Sequence, residues 1–405
     1  METLLILADD LTGTVDTGAF PVSYGRQVTA YIDYQTYIAD ENRGEVVSVN
    51  MGTRALPPKE AAERHLMCAP AVNSTSGTVI KKMDMGLRGN PACEILTLLQ
   101  NTNRKYCFMM PAIPEFMTFT LYGYEFVKGC LLEKSLYADD PLHIITSSYI
   151  PEILEGTPGI CCGSIDIDAV KSDWLKAEVD QLLGEGKNVI VFDAVSDQDC
   201  FKVVDTLMQD HPDVIWAGTL GLISAICRYL YGEKQDLVKV SDTRSRGIGF
   251  CGSNYTVSKD QIRYAAQHAG LQVINFDIEN YAKNPKEELA GLKSRYDLSN
   301  GTSDIMILPL VKEAYAIPEL ISKGLEDAAA TVLEGKDPDR IIIIGGETAS
   351  NVFRRIGISK LKITEKPESG IAAGLFMDGP FMGKAFALKG GSVGTEQAVV
   401  RMFNK

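Results

Sequence analysis

Short apolar runs rich in Ile and Val alternate with longer amphipathic stretches along this chain. The pattern predicts strands at residues 3–8, 45–50, 78–83, 105–110, 188–192 and 214–216, and a second set at 247–251, 272–276, 304–308 and 340–344. The run Ile341-Ile342-Ile343-Ile344 has no alternating polar residue, which suits a parallel strand covered on both faces. Strands alternating with helical stretches point to an α/β fold. A polar stretch from Gly232 to Arg246 separates a helix-like segment from a fresh strand. It sets an expected boundary near residue 240. The reading is therefore two domains, 1–240 and 241–405, each built on a mainly parallel sheet flanked by helices.

Length agrees with that division, because 405 residues exceed what a single core ordinarily serves. The net charge of -13 argues against nucleic acid or an anionic membrane as the main partner, since both need a basic face. An anionic small molecule stays admissible, because a local group of Lys and Arg can hold one. The nine cysteines contain no C-x-x-C, and the four histidines have no metal-ligand spacing. Buried reduced thiols are expected rather than disulfides or zinc. No basic leader opens the chain and no apolar run reaches membrane-spanning length, so a cytoplasmic location is expected.

In parallel sheets ligands sit beyond the carboxyl ends of the strands, so the residues that follow each strand matter most. Ala8-Asp9-Asp10-Leu11-Thr12-Gly13 places two acids after a buried strand, where both cannot be buried cheaply. They suit a general base or a binder of a substrate hydroxyl, or else a solvated turn with an Asp helix cap. Lys81-Lys82-Met83-Asp84 with Leu87-Arg88-Gly89-Asn90 gathers three cations and an acid, and Arg54 follows another strand. Asn90-Pro91 reads as a helix start with an Asn cap, and such an end beside Lys and Arg suits an anion. A charged surface loop is the plain alternative. Cys251-Gly252-Ser253-Asn254 follows the first strand of the second domain, and Ser258-Lys259-Asp260-Gln261 fits a capping box. Gly345-Gly346-Glu347-Thr348 and Lys389-Gly390-Gly391-Ser392 are strand-to-helix glycine turns of the kind that cradle phosphate. No P-loop motif occurs.

Taken in order, these loops resemble the four-carbon acid sugar kinases. The resemblance continues through Asp193-Ala194 and Ala217-Gly218-Thr219-Leu220 and spans nearly the whole chain. It implies an N-terminal acid-sugar-binding domain, a C-terminal nucleotide-binding domain, and ATP and Mg2+ as phosphoryl donor and cofactor. It implies catalytic roles among Asp9, Asp10 and Asp84, with Arg54, Lys81, Lys82 and Arg88 binding substrate. It places ATP against Ser253, Gly345, Gly346, Glu347, Thr348, Gly390 and Gly391, and it names no protein metal ligand. Members carry Ser and Thr where this chain has Met85 and Gly86, and Gly-Arg where it has Met117 and Thr118. A lost Arg removes a bidentate carboxylate partner, so the substrate pocket is expected to differ.

The expected function is phosphorylation of a hydroxyl on a small sugar acid. The protein would mainly position the substrates and neutralise charge, with one of the three aspartates taking the hydroxyl proton. Two alternatives stay open: a kinase of the same fold for a polyol or another hydroxy acid, and a non-catalytic sensor of nucleotide and metabolite. The partners expected are a small sugar acid and ATP, with no nucleic acid and no membrane. A homodimer is left open beside a monomer.

Overall fold

The computed structural model describes residues 3–138, 140, 143–235, 246–299, 303–311 and 318–403. In chain order its first strands are β1 (Leu4–Ala8), β2 (Val28–Tyr31), β3 (Val46–Asn50), β4 (Thr78–Lys82), β5 (Tyr106–Met110), β6 (Thr118–Leu121), β7 (Tyr124–Val127), β8 (Cys130–Leu131), β9 (Cys162–Ile165), β10 (Val189–Phe192) and β11 (Val214–Gly218). The rest are β12 (Gly247–Cys251), β13 (Gln272–Asp277), β14 (Ile305–Leu310), β15 (Arg340–Ile344), β16 (Lys360–Glu368), β17 (Ile371–Phe376) and β18 (Ala385–Lys389). The chain forms two compact units, one of Met1–Tyr24 with Asp33–Gln235, the other of Gly25–Ile32 with Asp236–Lys405. The expected boundary near residue 240 lies outside the described residues.

In the first unit seven parallel strands run in the order β3-β1-β4-β11-β5-β10-β9. β1 lies between β3 and β4, so the chain leaves its carboxyl end toward both sides, which is where open α/β sheets bind ligands. Every residue of β1 is buried, so both faces of the strand are covered. Each such aliphatic side chain contributes about 1.5–3 kcal/mol of transfer free energy. Asp10 then adopts extended backbone and accepts the Gly13 N–H at 2.7 Å, which caps the helix Leu11–Val22. The strands β6, β7 and β8 form a separate antiparallel meander.

In the second unit β13, β14, β12, β15 and β18 are parallel and in that order. β12 lies between β14 and β15, a second reversal of strand order. The sheet continues antiparallel through β17, β16 and β2. Residues 25–32 thus belong with the second unit, because β2 pairs with β16 from Tyr31–Lys360 to Val28–Ile363. The expected strands all form, within one to two residues at each end. The strands without a sequence expectation include the antiparallel ones, such as β16, whose Lys360-Leu361-Lys362-Ile363 alternates exposure instead of running apolar.

Two expected helix starts are corrected. The helix Thr256–His268 begins before Ser258, so no capping box forms, and Ser258 instead donates to the Gly391 carbonyl at 2.6 Å. Asn90 stands at the cap of Pro91–Asn101 without a side-chain cap bond. Its Nδ2 donates to the carbonyls of Thr53 and Leu56, at 3.1 and 2.8 Å, and so ties the loop after β3 to the loop after β4. Among the described residues no helix is long and apolar enough to cross a membrane.

Strand spacing at the end of β11 leaves no room for a side chain. A Cβ on Gly218 would lie 2.2 Å from the Met110 carbonyl oxygen, whereas one on Gly184 would meet open space. Gly218→Ala is therefore expected to lower the unfolding free energy in urea by about 1–3 kcal/mol, and Gly184→Ala to leave it within about 0.5 kcal/mol.

Candidate functional site

The carboxyl ends of β1, β3 and β4 bring most of the expected acid-sugar residues together. Arg54, from the loop after β3, donates through Nε and Nη2 to the two oxygens of Asp9 at 2.9 and 3.0 Å, and through Nη1 to Asp10 Oδ2 at 2.7 Å. Asp84 lies 3.7 Å from the same guanidinium. Arg88 holds Asp84 with two bonds, at 2.8 and 2.9 Å, and reaches Asp140 at 2.8 Å. Its guanidinium lies over the Tyr137 ring, 4.9 Å from the centroid. His143 Nε2 donates to the Arg54 carbonyl at 2.7 Å.

The two lysines separate. They are adjacent in a strand and so point to opposite faces. The Lys81 ammonium is wholly buried and forms an ion pair with Glu94 at 2.8 Å, so it does not reach the open side of the cluster. Glu94 sits in the first turn of the helix Pro91–Asn101. Lys82 faces the acids: a Cβ on Gly13 would lie 3.5 Å from its ammonium. Its one hydrogen bond among the described residues goes to the Met83 carbonyl. Lys82 is thus the cation of the cluster without a carboxylate partner there.

Electrostatics distinguish the aspartates. Burial pushes each carboxyl up, and the neighbouring cations pull it down. Arg54 with Lys81 and Lys82 win at Asp9, which is held below its ordinary value. Arg54 and Arg88 win at Asp84, which is held well below. At Asp10 burial, with the Asp9 charge added, outweighs Arg54 and Lys82, so its carboxyl is raised. Asp10 is also the most open of the three, with 22% of its side chain exposed against 3% and 7% for Asp9 and Asp84.

Of the residues that depart from the resembled pattern, Met85 and Gly86 are built into the wall behind Arg88. Met85 packs against a buried apolar group that includes Met83, Leu87, Leu132 and Tyr137. A Cβ on Gly86 would lie 2.6 Å from the Tyr137 ring, so the ring occupies the place a Thr would need. Met117 is exposed in left-handed backbone, and Thr118 is buried in β6. On the outer side of Arg88 a cavity of about 820 Å³ opens, with Arg88, His143, Leu56 and Ile145 on its wall. Sequence gave no signal for Tyr137, Asp140 or His143, which lie in a loop without periodicity.

In the second unit three turns meet at the ends of β12, β15 and β18. A Cβ on Gly252 would come within 1.9 Å of Thr348 Oγ1, and one on Gly391 within 2.3 Å of Ser253 Oγ. Gly345 has φ +113, a backbone region that favours glycine, and Gly346 opens the helix Gly346–Arg355. Ser253, Gly345, Thr348 and Gly391 therefore form one group, with Gly346 and Gly390 beside them. Glu347 follows in the first helical turn, with its carboxyl pushed up by burial and by Glu319 and Glu326. Lys389 ends β18 with a fully buried side chain. The cradle leaves room for backbone to approach a ligand and points helix N–H groups at it, which fits a phosphate. Among the described residues no group of three His, Cys, Asp or Glu side chains could hold a metal.

Residues 4–226 match the model of a sugar-binding N-terminal domain, and residues 249–399 that of a nucleotide-binding C-terminal domain. A D-threonate kinase of Salmonella typhimurium is 23% identical over 98% of this chain and 96% of its own length. A 3-oxo-tetronate kinase of the same organism is 24% identical over 98% and 97%. A crystal structure from that organism, described as a tRNA synthase, superposes with a TM-score of 0.83 at 22% identity, covering 98% of both chains. At that identity the likeness carries the fold alone.

Two stability outcomes follow from the pairing. Removing one member of the buried Lys81–Glu94 pair leaves the other charge stranded, so Lys81→Met is expected to cost about 3–5 kcal/mol in urea unfolding, and the double change Lys81→Met with Glu94→Leu to recover most of it. The second outcome concerns acid. Asp84, depressed on folding, stabilises above the ordinary carboxyl value of 3.8 and loses that contribution as pH falls through its lower folded value. Asp84→Asn should thus cost about 3–5 kcal/mol at pH 7, with a deficit that shrinks only below about pH 4. Asp10, raised on folding, has the opposite sign: wild type should gain relative to Asp10→Asn as pH falls, from a difference within about 1 kcal/mol at pH 7. Urea titrations at several pH values check both.

Proposed function

The chain belongs to the four-carbon acid sugar kinase family, in which a sugar-binding N-terminal domain precedes a nucleotide-binding C-terminal domain, and on that footing we propose that it transfers the terminal phosphoryl group of ATP to a hydroxyl of a small sugar acid. The observation that carries this reading is the convergence of Asp10, Arg54, Lys82, Asp84 and Arg88 at the carboxyl ends of three neighbouring strands of the sugar-binding domain.

Within that group the roles divide by availability. Asp9 gives both oxygens to Arg54 and Asp84 both to Arg88, and the cations hold each carboxyl below its ordinary value, so neither is basic. Asp10 is the more exposed and the more basic, so Asp10 takes the proton of the acceptor hydroxyl. Lys82 attracts the substrate's charge, because it faces the open side of the acids and its own bond among the described residues goes to a neutral carbonyl. Lys81 acts from beneath, since its buried charge helps keep Asp9 ionised and so keeps Arg54 in place.

Ser253, the Gly345–Thr348 turn and Gly390–Gly391 hold the nucleotide, with backbone N–H groups at the start of Gly346–Arg355 facing its phosphates. Magnesium would be held chiefly by phosphate oxygens and water, where it neutralises phosphate charge.

The acids named for the relatives have four carbons. A second reading, a larger or less anionic hydroxy acid, is supported by Tyr137 over Gly86, by the inward-packed Met85, and by the open cavity beside Arg88.

The test is ADP release from MgATP against a panel of four- to six-carbon sugar acids, polyols and amino-sugar acids. Turnover of threonate or erythronate is the expected result, and Asp10→Asn should reduce it by about 100-fold or more while leaving ATP affinity unchanged. Turnover only with a larger acid would favour the second reading. MgATP binding without ADP from any compound would replace the kinase by a sensor, and full turnover in Asp10→Asn would remove Asp10 as the base.

A further inference from the structure

Lys389 is out of place by ordinary rules. It is the last residue of β18, paired with Ile344 on one side and Ile371 on the other, and none of its surface is exposed. A buried ammonium is normally met by a carboxylate. Here its bonds among the described residues go to neutral oxygens: the Gly390 carbonyl at 2.7 Å and Ser258 Oγ at 3.2 Å. An ammonium carries three N–H donors, so one is left over.

The groups that face it explain why it stays unmatched. Glu368, on β16, is felt only at a distance, because its carboxylate takes the Thr395 N–H at 2.7 Å, the Thr395 hydroxyl at 3.0 Å, and Arg401. Cys251, on β12, is a buried thiol pushed up to about 11 by burial, so it offers no charge at neutral pH. The helix Thr256–His268 presents Ser258, which is neutral, and Lys259, which adds positive charge near Cys251. β15 and β17 present apolar residues. Burial consequently pulls the Lys389 ammonium down to about 8.

The place it occupies is the glycine cradle. Ser258, which accepts from Lys389, donates to the Gly391 carbonyl, and Gly391 lies against Ser253. We propose that Lys389 is the cation of the nucleotide site, its buried ammonium placed behind the Gly390–Gly391 turn so that its charge and remaining N–H serve the phosphates of a nucleotide held by that turn. The inference rests on the nucleotide reading given above and adds a residue and a charge to it. The phosphates supply a nearer anion than any among the described residues, so binding raises the proton affinity of Lys389 and draws a proton onto it. The sign follows. Affinity should be highest where the free ammonium is already charged, below about pH 8, and should fall as pH rises through that value. The terminal phosphate of the nucleotide titrates below this window and does not obscure it.

The experiment is calorimetric titration of the full chain with MgATP between pH 7 and 9, in two buffers of different ionisation enthalpy, together with the melting temperature of the unliganded protein. Wild type should take up about half a proton per nucleotide at pH 8. Lys389→Met should bind about 10- to 100-fold more weakly, with no uptake, and yet melt no lower than wild type, because it removes a buried unmatched charge. A lysine that merely tied Ser258 to Gly390 would instead lower the melting temperature and leave affinity unchanged. Lys389→Arg, charged throughout the window, should bind with an affinity flat in pH, which keeps the test decisive should the methionine variant not fold. Equal affinity and equal uptake in Lys389→Met, or a wild-type pH dependence in Lys389→Arg, would overturn the assignment. Failure of wild type itself to bind MgATP would sink the nucleotide reading and Lys389 with it, a result distinct from the others.

Discussion

The Arg54 guanidinium is the constraint on which the sugar-binding unit turns. A strand with every side chain buried ends on two adjacent carboxylates, an arrangement that repulsion and desolvation would neutralise or pull apart. A single planar cation resolves it, because the guanidinium fork meets both oxygens of Asp9 and still reaches Asp10. Asp10 is thereby held where it also caps the following helix, so the solvated-turn and functional readings of the two acids turn out not to exclude each other. A lysine could not replace Arg54, since its three donors radiate from one nitrogen and cannot lie side by side on both oxygens of Asp9 while reaching Asp10. The same device recurs one strand away, where Arg88 forks onto Asp84 and reaches Asp140. What remains open to a ligand is what these two clamps do not consume.

That distinction marks the limit of what the sequence could tell. Unbroken apolar runs exposed the parallel strands of both units, because a strand covered on both faces writes its burial directly into composition. Half-covered antiparallel strands such as β16 mix charge with aliphatic residues and look like amphipathic helix or loop over short windows. The acids and cations of the first site were legible from their position after strands. Their pairing was not. Alternation in β4 says that Lys81 and Lys82 part company, but only the packing of Glu94 above one face decides which of them is structural. Ser258 and Asn90 fail as caps for a related reason: each is drawn away by a carbonyl from a loop distant in sequence.

Two of the departures from the resembled pattern, Met85 and Gly86, meet at one ring. Gly86 removes the side chain that would collide with Tyr137, Tyr137 then lies under the Arg88 guanidinium, and Asp140 from the same loop takes one of that guanidinium's donors. A Thr at position 86 would contribute a hydroxyl to the pocket, whereas the ring contributes a face and steadies a cation. Met85 turns inward in the same step. A side chain restored at position 86 alone would overpack against the Tyr137 ring. The wall behind Arg88 therefore carries a buried ring and a fixed charge where the resembled pattern has two hydroxyls.

Comparing the lysines in the two units separates structure from function on one physical criterion. Lys81 is buried and matched by Glu94, and the pair serves the fold. Lys82 and Lys389 are nearly or wholly buried and bond only to neutral oxygens among the described residues. Lys82 still lies in the field of Asp9, Asp10 and Asp84, whereas the one carboxylate that Lys389 feels among the described residues is Glu368, and such an ammonium in low dielectric costs more than an aliphatic chain of the same length. The cost makes sense where an anion arrives during the working cycle and is otherwise absent. One such lysine lies beside the acids of the sugar-binding unit and the other beside the glycine turns of the nucleotide-binding unit, each at the carboxyl end of a parallel strand. If the chain transfers phosphate to a sugar acid as proposed, each substrate brings an anion, and Lys82 and Lys389 would each offer one a cation.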